Sequence, residues 1–237
     1  MQKIIHRSAD RGQVDFGWLK SRHSFSFGQY YDAKKINFGA LRVLNDDQVA
    51  PGQGFGRHPH DNMEIVSIPL AGILAHGDNM GNGKDILTGD VQIMSAGTGI
   101  AHSEYNGSKT EEVHFLQIWV LPKDLNIEPR YDQKSYHHLD KNNKWVTVVS
   151  PDQEDQSAVW INQDAWFNLA DLSTGANLSY SLHGDSNGIY LFVLEGTVSI
   201  GGEQLERRDA IGLYEIDTVD IEASRDAKVL LIEVPMY

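Results

Sequence analysis

The 237-residue chain contains no cysteine. Disulfides, thiolate metal ligands and a cysteine nucleophile are therefore excluded, and the absence suits a reducing compartment. Clustered basic charge is also missing. The formal net charge is −13, and no run of Lys and Arg offsets it locally, so direct nucleic-acid binding is not expected. A basic protein partner is compatible with this balance. No apolar run approaches the roughly 20 residues that span a bilayer. The stretch Met1-Gln2-Lys3-Ile4-Ile5-His6-Arg7-Ser8 lacks the apolar segment of a signal peptide. These absences predict a cytoplasmic protein with no membrane association.

Helical periodicity is scarce as well. Short runs rich in β-branched and aromatic residues dominate instead: Phe38 to Leu44, Ile65 to Leu70, Val91 to Met94, Val113 to Leu121, Trp145 to Val149, Leu178 to Leu182, Ile189 to Leu194, Ala210 to Tyr214 and Val229 to Val234. Glycine, asparagine or aspartate bounds most of them, as expected of strands joined by turns. Asp164 to Leu172 reads as a short helix or a loop. The whole predicts an all-β sandwich or barrel architecture. The segment from Pro122 to Arg130 is polar and framed by Pro122 and Pro129, which cannot donate to a ladder. It is read as a linker dividing the chain into residues 1–125 and 126–237.

The two parts look like repeats of one design. Leu70-Ala71-Gly72-Ile73-Leu74, a glycine-rich turn and Asp90-Val91-Gln92-Ile93-Met94 correspond to Leu194-Glu195-Gly196-Thr197-Val198, Gly201-Gly202 and Asp209-Ala210-Ile211-Gly212-Leu213.

Two motifs carry chemistry. In Arg57-His58-Pro59-His60, the histidines at i and i+2 of a strand project from one face. His102 and Glu104, in Ala101-His102-Ser103-Glu104, do the same. A lone His-x-His pair is weak in a chain with ten histidines. If the two strands are neighbours, however, cross-strand Cβ atoms lie about 5 Å apart and four ligands converge on one ion. Neutral imidazole suits Zn, Cu, Fe and Ni. Three histidines and a carboxylate leave two positions open on an octahedral ion, which points to catalysis or ligand binding. The second part has no equivalent set. The offsets that place the ligands relative to Gly72 and Asp90 land on Leu182, Gly184, Ile221 and Ala223 when counted from Gly196 and Asp209. His183 sits one residue off, on the opposite strand face.

His58-Pro59-His60-x-x-x-Glu64 followed by Gly72 resembles the first cupin motif. The run Gly89 to Glu104, closing on His102-Ser103-Glu104, resembles the second in its pirin version. Arg22-His23-Ser24-Phe25-Ser26-Phe27-Gly28 and Leu116-Gln117-Ile118-Trp119-Val120-Leu121-Pro122 are also similar to pirin segments. The resemblance is dense over roughly residues 15–125 and thinner afterwards. It implies a bicupin, two tandem double-stranded β-helix (jelly-roll) barrels, with one divalent metal in the N-terminal barrel. It implies His58, His60, His102 and Glu104 as ligands, with Fe(II) favoured and Ni, Co, Mn, Cu or Zn as alternatives. Glu64, a ligand in many other cupins, is not expected to be one here. Several members of the family show quercetin 2,3-dioxygenase activity, and eukaryotic members have been described as nuclear co-regulators.

The resulting expectation is a dioxygenase acting on a flavonol and dioxygen, with Glu104 available as general base. The rival is a metal- or redox-sensing module read by a protein partner. A third reading, another cupin reaction on a small polar substrate, needs basic residues near the site, where only Arg57 adjoins a ligand motif. A cavity of a few hundred Å³ beside the ion favours an enzyme. Among the remaining residues, His76 is expected in an exposed turn, and His114 as a hydrogen-bonded wall residue. His23 is a candidate for the pocket mouth. Trp119, Phe115 and Met94 are expected in the core.

Overall fold

The computed structural model describes residues 1–237. It is built almost wholly of strands, the one helical element being the 3-10 turn Ser8–Asp10. No helix is long and apolar enough to cross a membrane. Asp164 to Leu172 resolves as neither helix nor loop: Trp166–Leu172 is a strand, paired to the chain's last strand over its whole length. Its alternation of Phe167, Leu169 and Asp171 with Asn168, Ala170 and Leu172 suits a ladder buried on both faces.

A seven-stranded sheet runs in the order Arg130–Ser135, Asp90–Ser95, Glu64–Ala71, Val113–Val120, Leu41–Val49, Leu19–His23, Gly12–Asp15. A four-stranded sheet, Gly54–His60, Ile100–Asn106, Ile73–Asp78, Gly83–Leu87, faces it. Together they form the first barrel. The remaining nine strands form one continuous sheet around Asn187–Ile200 and Thr218–Pro235. These two long strands pair along their length with register shifts between Val193 and Val198, where they bend to make the second barrel. The expected all-β class with two jelly-roll barrels is what the chain adopts.

The internal repeat is visible as geometry. Gly72 and Gly196 both have positive φ, and a Cβ at either would meet a backbone carbonyl, Glu112 O at 2.7 Å or Asp226 O at 2.0 Å. Only glycine fits such a crossing. Asp90 accepts from Leu87 N at 3.0 Å and Asp209 from Glu206 N at 3.2 Å, so each aspartate closes the turn that precedes its strand. Division of the chain at residue 125 does not follow sheet membership. Arg130–Ser135 extends the first sheet, and Gln2–His6 pairs with Ala210–Tyr214 of the second half.

The largest apolar cluster lies between the two halves. Leu44, Val66, Ile68, Leu116 and Ile118 on the outer face of the seven-stranded sheet meet Phe167, Phe192, Leu230 and Ile232 across the junction. A second large cluster fills the C-terminal barrel. Inside the N-terminal barrel only two small apolar groups remain, one around Phe115 and one around Met94. The centre of that barrel is polar.

Candidate metal centre

The neighbouring strands Gly54–His60 and Ile100–Asn106 are antiparallel, with His102 directly opposite His58. The i, i+2 spacing puts His60 on the same face as His58, and the three rings converge. Their centroids lie 4.5 Å (His58–His102), 4.8 Å (His58–His60) and 5.0 Å (His60–His102) apart. One nitrogen from each ring lies within 4.8 Å of the others. This is a single candidate metal site.

The imidazoles fit a cation. His102 is 2% exposed, yet neither of its ring nitrogens has a hydrogen-bond partner. A buried imidazole left without partners costs stability unless something else uses its lone pair. His58 Nδ1 donates to the Gly56 carbonyl at 2.7 Å, which fixes Nε2 as the free lone pair. Burial, aided by the neighbouring imidazoles, holds His60 down at about 4 and His102 at about 2. Neutral rings, the ligating form, are thereby favoured.

Glu104 shares a strand face with His102 but lies outside the group of mutually close donor atoms. A register shift separates the two residues. The Glu104 carboxylate reaches across the barrel to the seven-stranded sheet, where it accepts from Ser67 Oγ at 3.0 Å and Gln117 Nε2 at 2.5 Å. Burial pushes its carboxyl up to about 7, against the pull of those two donors. Glu64 is placed quite differently. It shares the face of Val66 and Ile68, towards the second half, and accepts from Ser95 Oγ at 2.7 Å and Asn162 N at 3.2 Å. Strand parity alone keeps it away from the imidazoles.

Two residues depart from their expected places. His76 is not in an exposed turn. It lies on the buried face of Ile73–Asp78 between Leu74 and Asp78, stands opposite Glu104 in the ladder, and is 4% exposed. Its ring lies 5.2 Å from that of His102, both its nitrogens are unpartnered, and burial lowers its pKa. The buried Leu74 two residues earlier is the sequence signal for this placement. Trp119 is not core. It lines a cleft of about 580 Å³ together with His60, Met63 and Ile100, its ring set edge-on at 4.9 Å from His60. Phe115 and Met94 are fully buried as expected. His114 sits at the junction of the halves and pairs with Asp46. His23 is buried against Phe27 at 5.4 Å, and Phe27 in turn packs on Trp119 at 5.2 Å, so it stands two rings behind the cleft.

In the second barrel, Ile221 and Ala223 are apolar core and Leu182 packs against it. His183 stacks on Trp166 at 4.2 Å and bonds Glu233 through Nδ1 at 2.7 Å. Tyr180 Oη and Asn187 Nδ2 also donate to this fully buried carboxylate, at 2.7 Å each. No second group of close metal donors exists there.

Comparison with known proteins agrees with this geometry. The family model described as Pirin matches residues 5–120, and the model described as quercetinase C-terminal cupin domain matches residues 147–234. An Escherichia coli protein named quercetin 2,3-dioxygenase is 39% identical over 235 residues, covering 98% of both chains. A pirin-like protein of Caulobacter vibrioides is 41% identical over 222 residues, 94% of this chain and 95% of its own. The crystal structure of a bacterial pirin from Escherichia coli in complex with nickel(II) superposes with a TM-score of 0.93 at 37% identity, covering all of both chains. The imidazole cluster in a polar barrel centre, the two repeated barrels and these full-length matches lead to one assignment: the chain belongs to the pirin family of the cupin superfamily.

Proposed function

We propose that the chain is a metal-dependent dioxygenase that cleaves a flavonol such as quercetin at the 2,3-bond and releases carbon monoxide. The observation that carries this reading is the convergence of His58, His60 and His102, with His60 lining a cleft of about 580 Å³ walled also by Trp119 and Met63. That volume suits a small aromatic substrate. The nickel-bound pirin and the relative named quercetin 2,3-dioxygenase support the metal and the substrate class. In this reading His58, His60 and His102 hold one divalent metal, with Glu104 as the fourth ligand. Fe(II) is favoured, with Ni, Co, Mn, Cu or Zn as alternatives. Such an ion, when bound, supplies Lewis acidity that makes a substrate hydroxyl easier to deprotonate.

The chain's own residues do the rest. Trp119 offers an aromatic edge and face, and Met63 a polarizable thioether, to a flat ring system. Glu104 accepts the proton of the flavonol 3-hydroxyl on a carboxylate oxygen. Ser67 and Gln117 hold that carboxylate in one orientation. Its burial keeps bulk water from competing for the proton.

The test is metal analysis of protein purified without added metal, followed by a carbon monoxide assay on quercetin with dioxygen. Metal-filled Glu104→Gln is expected to bind flavonol but turn it over at least about a hundredfold more slowly, the lower end of general-base effects. Glu64→Gln is expected to stay active. Failure of the wild type to release carbon monoxide with any of Fe, Ni, Co, Mn or Cu sinks the dioxygenase reading and leaves the sensing module in its place.

A further inference from the structure

The outer face of the seven-stranded sheet does not stay apolar. On the strand Leu41–Val49 it passes from Leu44, in the interface between the halves, to Asp46 and then Gln48. On the next strand Arg22 lies opposite Asp46 and Lys20 opposite Gln48. Here the two halves splay apart around a cleft of about 780 Å³. Its other walls are the segment from Arg7 to Arg11 and the turn carrying Arg207, Arg208 and Asp209.

Only one of the 15 lining residues is hydrophobic. A flavonol would find no apolar wall there. The walls carry six Arg and Lys side chains (Arg7, Arg11, Lys20, Arg22, Arg207, Arg208) against three carboxylates (Asp46, Glu206, Asp209), and just outside the lining Glu195 pairs with Arg207 at 2.7 Å and Glu203 with Arg7 at 3.5 Å. In a chain of net charge −13 this is a local inversion of sign.

The positive charge is built in at depth. Arg11 and Arg208 are 4% and 6% exposed. Both depend on Asp46, at 3.4 Å and 3.5 Å, while His114 takes the other Asp46 oxygen. One carboxylate cannot neutralise two guanidinium groups. Arg208 reaches Glu195 only at 3.7 Å, and its Nε and Nη1, like Arg11 Nε, donate to nothing. Above them, Lys20 and Arg22 are exposed and form no ion pair. Buried, under-compensated cations beneath a rim of free cations form a concave field that favours a multivalent anion. Guanidinium forks match carboxylate and phosphate oxygens.

We propose that this cleft between the halves binds a small, polar ligand carrying at least two negative charges on phosphate or carboxylate oxygens. Lys20 and Arg22 bind it from one half, over the charge of Arg11 and Arg208, while Arg7, held by Asp209 at 3.0 Å and the Gln204 carbonyl at 2.7 Å, walls the opposite side. The ligand touches both halves and is separate from the imidazole site.

Isothermal titration calorimetry of the metal-loaded protein with glycerol phosphate and with succinate, in a low-salt buffer free of oxyanions, tests this. Saturable one-site binding of either probe, weakened by added sodium chloride, is expected, and the better probe identifies the phosphate or the carboxylate class. Lys20→Gln/Arg22→Gln changes two exposed side chains and should leave metal content intact. It is expected to weaken binding by about tenfold or more, the loss of a charge-assisted hydrogen bond. His60→Ala is expected to bind the anion unchanged. The proposal is overturned by absence of saturation with both probes, by equal affinity in the double variant, or by loss of binding in His60→Ala, which would put the anion on the metal.

Discussion

At the scale of single residues, the centre is defined by what each imidazole can still do after its neighbours have been satisfied. His58 has spent Nδ1 on Gly56, and His102 has no partner at either nitrogen. A metal therefore meets in His58 a donor already oriented by Gly56, and in His102 one with no competing protein hydrogen bond. His60→Ala and His102→Ala are each expected to lose metal, measured by elemental analysis, while circular dichroism stays that of the wild type. Neither ring belongs to an apolar cluster, so the fold does not depend on either. His183→Ala is expected to keep full metal content. It removes a partner from buried Glu233, however, and is expected to lower stability by about 1–3 kcal/mol in urea unfolding. Full metal retention by both His60→Ala and His102→Ala would refute the ligand assignment.

At the scale of strands, the i, i+2 rule accounts for most of what was legible. It pairs His58 with His60, sets His102 and Glu104 on one face, and excludes Glu64, which shares parity with Val66 and Ile68. The residues that escaped it were ambiguous for physical reasons. His76 precedes Gly77-Asp78-Asn79, and a turn signal there masks a strand that runs on to Asp78. Trp119 lies in the nearly unbroken apolar run Val113–Val120, which is buried on both faces. Such a run announces burial without saying which face meets a cavity. The pairing of Gln2–His6 with Ala210–Tyr214 joins residues some 200 positions apart and leaves no local trace. Asp46, on the strand Leu41–Val49, carries a pH prediction. Burial raises the Asp46 pKa, but the His114 hydrogen bond and the charges of Arg208 and Arg11 outweigh it and hold the group at about 2. A depressed carboxyl contributes stability that is complete above its unfolded value near 4 and is lost as pH falls through 2. The difference corresponds to about 2 kcal/mol. Asp46→Asn is thus expected to be less stable than the wild type by at least about this amount at pH 6. The gap should narrow between pH 4 and pH 2. A gap of constant size across that range would show that the carboxylate's charge is not what matters.

For the whole molecule, the consequential fact is that the largest apolar cluster belongs to neither barrel but to the junction between them. The first barrel, with its polar centre, has only small apolar groups of its own. Residues 1–125 expressed alone would expose Leu44, Ile68, Leu116 and Ile118 to water and would lack the edge strand Arg130–Ser135. That fragment is expected to aggregate or to be unfolded by size-exclusion chromatography and circular dichroism, and to bind no metal stoichiometrically. The junction has one pronounced insertion. Phe38 enters from the first half, 2% exposed, and its ring lies over Gly188 and Gly212 of the second, packed 5.7 Å from Tyr190. A Cβ on Gly212 would stand 2.5 Å from the Phe38 ring and one on Gly188 2.9 Å from it. The two glycines therefore form the hollow that the ring fills. Phe38→Ala leaves a cavity that these strands, each paired on both sides, cannot close, and is expected to cost about 3–5 kcal/mol. Gly212→Ala fills the hollow and is expected to cost about 1–3 kcal/mol through overpacking. In the double variant the added methyl occupies part of the cavity, so the two losses should sum to more than the loss measured together. Urea unfolding of the four proteins closes the cycle, and metal content should not change in any of them, because Phe38 lies outside the first barrel's interior. Strict additivity of the two losses would mean that the ring and the hollow do not hold the halves together.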